Sequence, residues 1–182
     1  MADGVTLYTI GHGTRPVAEL VDVLRESGVT TLIDVRRYPA SRRNPQFERA
    51  HLAAELEAHG ITYEWWGEQL GGRRKAAPRS RHPAWREPSF RAYADYMDTD
   101  EFKQAFDALL ARAGDARTAV MCAETLWWKC HRRLLADAAT LAGVSVVHLG
   151  AGVPRTHALH PAVRSEDGRP VYDVGQLPIG NE

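Results

Sequence analysis

Cysteine is almost absent: the 182 residues hold two, Cys122 and Cys130. Two thiols eight residues apart make no disulfide framework, so reduced cysteines are expected. No apolar run approaches the roughly 18 residues of a membrane-spanning helix, and the start, MADGVTLYTIGHG, lacks the charged end and apolar core of a signal peptide. A cytoplasmic protein with no membrane partner is therefore expected. Neither G-x-S-x-G nor G-x4-G-K-[ST] occurs, which leaves Ser-His-Asp chemistry and P-loop nucleotide binding without a motif. Close pairs of zinc ligands are also missing, because C-x7-C-H has no second cluster to complete it. No metal and no cofactor is assigned. Internal repeats, low-complexity tracts and a second domain are absent as well.

Net charge is zero over the chain but not along it. From Arg36 to Arg91 there are 12 Lys and Arg against 6 Asp and Glu, an excess of +6 that the rest of the chain balances. A solvated face explains any one arginine pair, whereas the whole segment points to an anionic partner.

Hydrophobic periodicity supplies the fold. Leu7–Ile10 reads as a buried strand ending at Gly11-His12-Gly13. Thr14 can cap a helix with Pro16 in its first turn and an apolar stripe at Val17, Leu20, Val21 and Leu24. Gly28 stops that helix, and Val29–Val35 is a second strand whose end carries Asp34, Arg36 and Arg37. Asn44 can cap a helix started by Pro45 and running through Leu52 and Leu56 to Gly60. Ile61–Trp66 is a third strand. Phe90–Met97 and Phe102–Leu110 mark two helices, the second capped by Thr99. Thr118–Met121 is a strand with Cys122 at its exit, a helix follows Cys130, and Val144–Leu149 is the last core strand. The expected fold is α/β, a three-layer, mainly parallel sheet with helices on both faces. The expected organisation is one domain, 1–182, with the core at 1–149, an Arg-rich insertion at 67–89 and a short irregular extension at 150–182. Within that extension Asp167-Gly168 signals a hairpin.

The stretch Arg117–Arg132, RTAVMCAETLWWKCHR, concentrates the chemistry. It is a strand, a loop and the start of a helix, and open α/β sheets bind ligands beyond the carboxyl ends of their strands. Free Cys is most often a small buried hydrophobe. Cys122 rises above that default because Glu124, Cys130, His131 and Arg132 lie within eleven residues of it. Cys130, in the first helical turn, reads as a packing residue. His12, Asp34, Cys122 and Glu124 are the candidate catalytic groups. Arg36, Arg37, Arg42, Arg43, Arg73, Arg74, Trp127, Trp128, His131 and Arg132 are the candidate substrate-binding ones.

Five segments, TIGHGT at 9–14, IDVRRYPASRRNPQF at 33–47, LGGRRK at 70–75, WREPSFRAYADYM at 85–97 and MCAETLWWKCHR at 121–132, together resemble the DUF488 family of bacterial proteins. The resemblance follows most of the chain in order. It implies a single compact α/β domain and carries no settled activity. The family more often has Ser where Gly13 stands here, so a ligand contact made by that hydroxyl in relatives would be lost or would fall to Thr14.

Two chemistries compete. In the first, the arginines hold the phosphates of a nucleotide or nucleic acid, aromatic rings stack on a base, and Glu124 or Asp34 activates water, as in base repair or hydrolysis. In the second, Cys122 is the nucleophile of a rhodanese-like or redox enzyme. A non-enzymatic module that only captures an anionic ligand is the third. The first is preferred because it alone uses the basic middle segment, the arginine-rich loop and the tryptophans together.

Overall fold

The computed structural model describes residues 4–150 and 152–175. Five parallel strands form the centre: β1 (Thr6–Gly11), β2 (Thr31–Asp34), β3 (Thr62–Trp65), β4 (Thr118–Cys122) and β5 (Ser145–Leu149). A sixth, β6 (Arg155–Thr156), pairs antiparallel with β5 and completes the order β3-β2-β4-β1-β5-β6. Side chains alternate across this sheet, so each strand feeds two cores. Leu7, Ile33, Val35, Val120 and Cys122 face one core, while Tyr8, Ile10, Leu32, Ala119 and Met121 face the other.

Helices α1 (Val17–Glu26) and α2 (Arg49–Ala58) cover the second face through Leu20, Val21, Leu24, Leu52 and Leu56. A one-turn helix, α3 (Gly67–Leu70), follows β3. The first face is covered by α4 (Pro88–Met97), α5 (Asp100–Asp115) and α6 (Arg132–Leu141), with Tyr93, Phe102, Phe106, Leu134 and Leu135 fully buried. The architecture is the expected three-layer α/β fold.

Two helix starts differ from expectation. Thr14 does not cap α1, which begins one residue after Pro16 with no side-chain cap. Proline's fixed backbone already holds the extended entry there. Asn44 precedes only a short 3-10 turn at Pro45–Phe47, and the cap of α2 is Glu48, whose Oε2 accepts from the Ala50 and His51 amides at 3.1 and 3.4 Å. Thr99 caps α5 as expected, its Oγ1 accepting from Phe102 N at 3.3 Å.

The insertion 67–89 is tied down. Tyr93 and Tyr96 hydroxyls donate to the carbonyls of Leu70 and Gln69, both at 2.7 Å, and Ser80 donates to Asp95 at 2.6 Å. Trp85 is buried against the α4–α6 face. In the C-terminal extension, strands β7 (Val163–Glu166) and β8 (Arg169–Tyr172) form a hairpin around Asp167 and Gly168. Both turn residues have positive φ, 52° and 77°, as a type I′ turn requires. The extension is thus more regular than expected up to residue 175, and its remainder lies outside the described residues.

Candidate active site in a cationic strand-end cleft

The sheet order places the ends of β1, β4 and β2 side by side, and the chain past each of them turns outward into loops. Two amides extend the β1–β4 ladder beyond the strands: His12 N donates to Cys122 O at 2.9 Å and Gly13 N to Ala123 O at 3.0 Å. The His12 turn and the Cys122–Glu124 loop are thereby held as one unit.

Asp34 closes β2 with a fully buried carboxylate. Its oxygens accept from Arg36 N at 3.0 Å, Arg36 Nε at 2.9 Å, Arg36 Nη2 at 2.6 Å and Tyr63 OH at 2.6 Å. Arg36 also donates to Phe47 O at 2.8 Å. Burial would lower the Arg36 pKa, but the Asp34 carboxylate outweighs it and the guanidinium stays charged. Asp34 lines neither of the clefts described below; the geometry makes it the anchor of Arg36.

His12 stacks on Phe47 with ring centroids 4.2 Å apart. Its Nδ1 lies 2.8 Å from Gly13 O and therefore carries the hydrogen, which leaves Nε2 to accept from Arg36 Nη1 at 3.3 Å. Burial lowers the His12 pKa to about 4; the Gly13 carbonyl opposes this and the Arg36 charge adds to it. His12 is a neutral, hydrogen-bonded imidazole near neutral pH.

The main cleft, about 440 Å³, is lined by Arg36, Arg37, Tyr38, Arg73, Cys122, Glu124, Lys129, Cys130 and His131, together with Phe90 and Tyr93 from α4. A second cleft of about 420 Å³ shares Arg36, Tyr38, Arg73 and Glu124 with it and adds His12, Thr14 and Asn44. Among the described residues Arg37, Arg73 and Lys129 have no carboxylate partner. Tyr38 is 61% exposed and lies under the guanidinium groups of both Arg37 and Arg73, at 6.0 and 5.4 Å.

The two thiols meet at the wall of the main cleft. Cys122 Sγ and Cys130 Sγ are 2.7 Å apart. Burial raises the Cys122 pKa well above that of a free thiol, and Cys130 adds to it. For Cys130 burial acts in the same upward direction but is overcome by the hydrogen bond from Cys122 and the neighbouring His131 and Arg132, so its pKa falls well below the ordinary value. The expected order is reversed: Cys122 holds the proton and Cys130 carries the charge. Cys130 has the advantage of position, because Arg132 N at the start of α6 donates to its sulfur at 3.4 Å.

Arg132 is buried beneath the loop, and its Nη2 donates to Glu124 O at 2.6 Å and Thr125 O at 3.3 Å. It shapes the cleft without lining it. Arg74 is folded back onto Glu68 O and Gly71 O over the Tyr96 ring, while Arg42 and Arg43 are exposed and line neither cleft. Trp127 stacks on His148 at 4.2 Å and Trp128 is 42% exposed; neither borders a cleft. Tyr38, Phe90, Tyr93, Lys129 and Cys130 are among the main-cleft residues that the sequence reading did not select. Tyr38 follows Arg37 directly, which was a usable signal. That Phe90 of α4 shares a cleft with the end of β4 was not visible in local sequence.

Fold and site together define an α/β protein whose strand-end cleft combines cations without a carboxylate partner among the described residues, a carboxylate and two thiols. The chain belongs to the DUF488 family, described as a domain of unknown function, whose family model matches residues 16–139, more than half of the chain. No curated protein and no solved structure gives a significant match. Among the described residues no helix is long and apolar enough to cross a membrane.

Proposed function

We propose that the protein is an enzyme acting on a nucleotide or nucleic acid, hydrolysing it within the strand-end cleft. The observation that carries this reading is Tyr38, an exposed ring flanked by two arginines without carboxylate partners at the cleft rim. Arg37, Arg73 and Lys129 bind phosphate oxygens, and the Tyr38 face takes a base by stacking. Glu124 borders both clefts and is exposed, so it can accept a proton from water at the ligand. Neutral His12 borders the second cleft and Arg36 borders both, its guanidinium being the charge-stabilising group. Asp34 acts through Arg36.

The test is a screen of normal and damaged single- and double-stranded oligonucleotides for cleavage or base release. With an active substrate in hand, Glu124→Gln should lower turnover by roughly 100-fold with little change in binding. Unchanged turnover in the folded variant removes Glu124 as the base. No turnover of any oligonucleotide or nucleotide by the wild-type protein removes the reading.

A further inference from the structure

Two sulfurs lie 2.7 Å apart at the wall of an open, cationic cleft, one at the end of β4 and the other two residues before α6. Water activation by Glu124 uses neither. Cys122 Sγ lies 3.6 Å from Glu124 O and also faces Cys130, so its hydrogen has two acceptors. Cys130 Sγ receives the Arg132 amide at 3.4 Å and lies 3.6 Å from His131 Nδ1. The asymmetry is that of a thiolate with a protonated partner.

We propose that Cys122 and Cys130 are a redox-active dithiol that exchanges with small, acidic disulfides entering the cleft. The Cys130 thiolate attacks one sulfur of the disulfide, forming a mixed disulfide and releasing one thiolate. Cys122 then gives up its proton to solvent and attacks the Cys130 sulfur. The protein disulfide forms and the second thiolate leaves. Two electrons pass from the dithiol to the small disulfide, which departs as two thiols, and an excess of small thiol reverses the sequence. Acidic disulfides are favoured because Arg37, Arg73 and Lys129 border the approach. The activity does not rest on the nucleic-acid reading, and its test contains no nucleic acid.

The experiment exposes reduced full-length protein to glutathione disulfide and, in parallel, to the cationic disulfide cystamine, each rate being normalised to reaction with free cysteine. Intact mass and iodoacetamide labelling follow the outcome. Glutathione disulfide should remove both thiols together with loss of two hydrogens, about ten-fold or more faster than cystamine at low salt. Limited iodoacetamide on the reduced wild type should label Cys130 first, a result independent of any variant's folding. Cys122→Ser should stop at the mixed disulfide on Cys130, and Cys130→Ser should form no protein disulfide. The proposal is overturned if both cysteines remain alkylatable after equilibration with excess glutathione disulfide. It is equally overturned if cystamine reacts as fast, or if Cys122 is labelled first.

Discussion

Asp34 and Arg36 show how a polar pair two residues apart can serve as scaffold at the edge of a site. The carboxylate is fully buried and all its close donors are protein groups. Removing it strands a buried guanidinium, so Asp34→Ala should lower unfolding free energy by about 3–5 kcal/mol, measured by urea titration. Asp34→Ala combined with Arg36→Met should cost clearly less than the sum of the two single changes, because no lone charge remains. Additive losses would mean that the pair is not the unit of stability. The sequence made both residues visible as strand-end groups but could not rank them. Asp34 ends β2, Arg36 follows it and Tyr63 comes from β3, and only their packing reveals that the carboxylate is saturated. The same applies to the thiols: Cys130 read as a packing residue because its partner, eight positions back, could not be placed beside it.

The five parallel strands and the helices α1, α2, α4, α5 and α6 were legible in order from their apolar runs and stripes, whereas α3 and β6 were not read. Loop positions were not. At the element scale the critical joint is where β1 ends against the Cys122–Arg132 loop. A Cβ on Gly11 would overlap the Glu124 carbonyl oxygen and lie 2.7 Å from its carbon and 2.8 Å from Arg132 Nη2. Backbone and a buried guanidinium cannot both yield cheaply. Gly11→Ala should therefore destabilise the fold by about 1–3 kcal/mol and disturb the cleft in the same variant, read by thermal denaturation and by thiol labelling rates. Thr99→Ala offers the contrast. It removes the α5 cap, should cost about 1 kcal/mol, and should leave thiol labelling unchanged. Gly13 makes a related point, since a side chain there would collide with Thr125 and its φ is +55°. A Ser at this position would be strained on the loop path this chain takes.

At the scale of the molecule, the buried histidines couple stability to pH. Burial lowers the pKa of His12 to about 4 and, with the His157 and Arg132 charges adding to it, that of His148 to about 3. The unfolded chain takes up these protons near pH 6.5 while the folded one resists, so the stabilisation is complete above about pH 6.5 and is lost as pH falls toward 4 and then 3. Urea midpoints should fall across that window by an amount equivalent to a few kcal/mol. His12→Gln should flatten the upper part of the decline; an unchanged profile would contradict a neutral His12. The whole-chain charge pattern was the clearest functional signal in the sequence, yet it overcounted. Of the arginines it gathered, Arg36, Arg37 and Arg73 reach the cleft, Arg74 is folded back, and Arg42 and Arg43 stay at the surface. The cleft as a phosphate-binding surface is best tested by fluorescence anisotropy of a labelled single-stranded oligonucleotide over a salt series, with wild type beside Arg73→Ala. The predicted result is binding that weakens steeply with salt, with a log-log slope shallower by about 0.7 in the variant. Absence of binding at low salt, or an identical slope in both proteins, would contradict it.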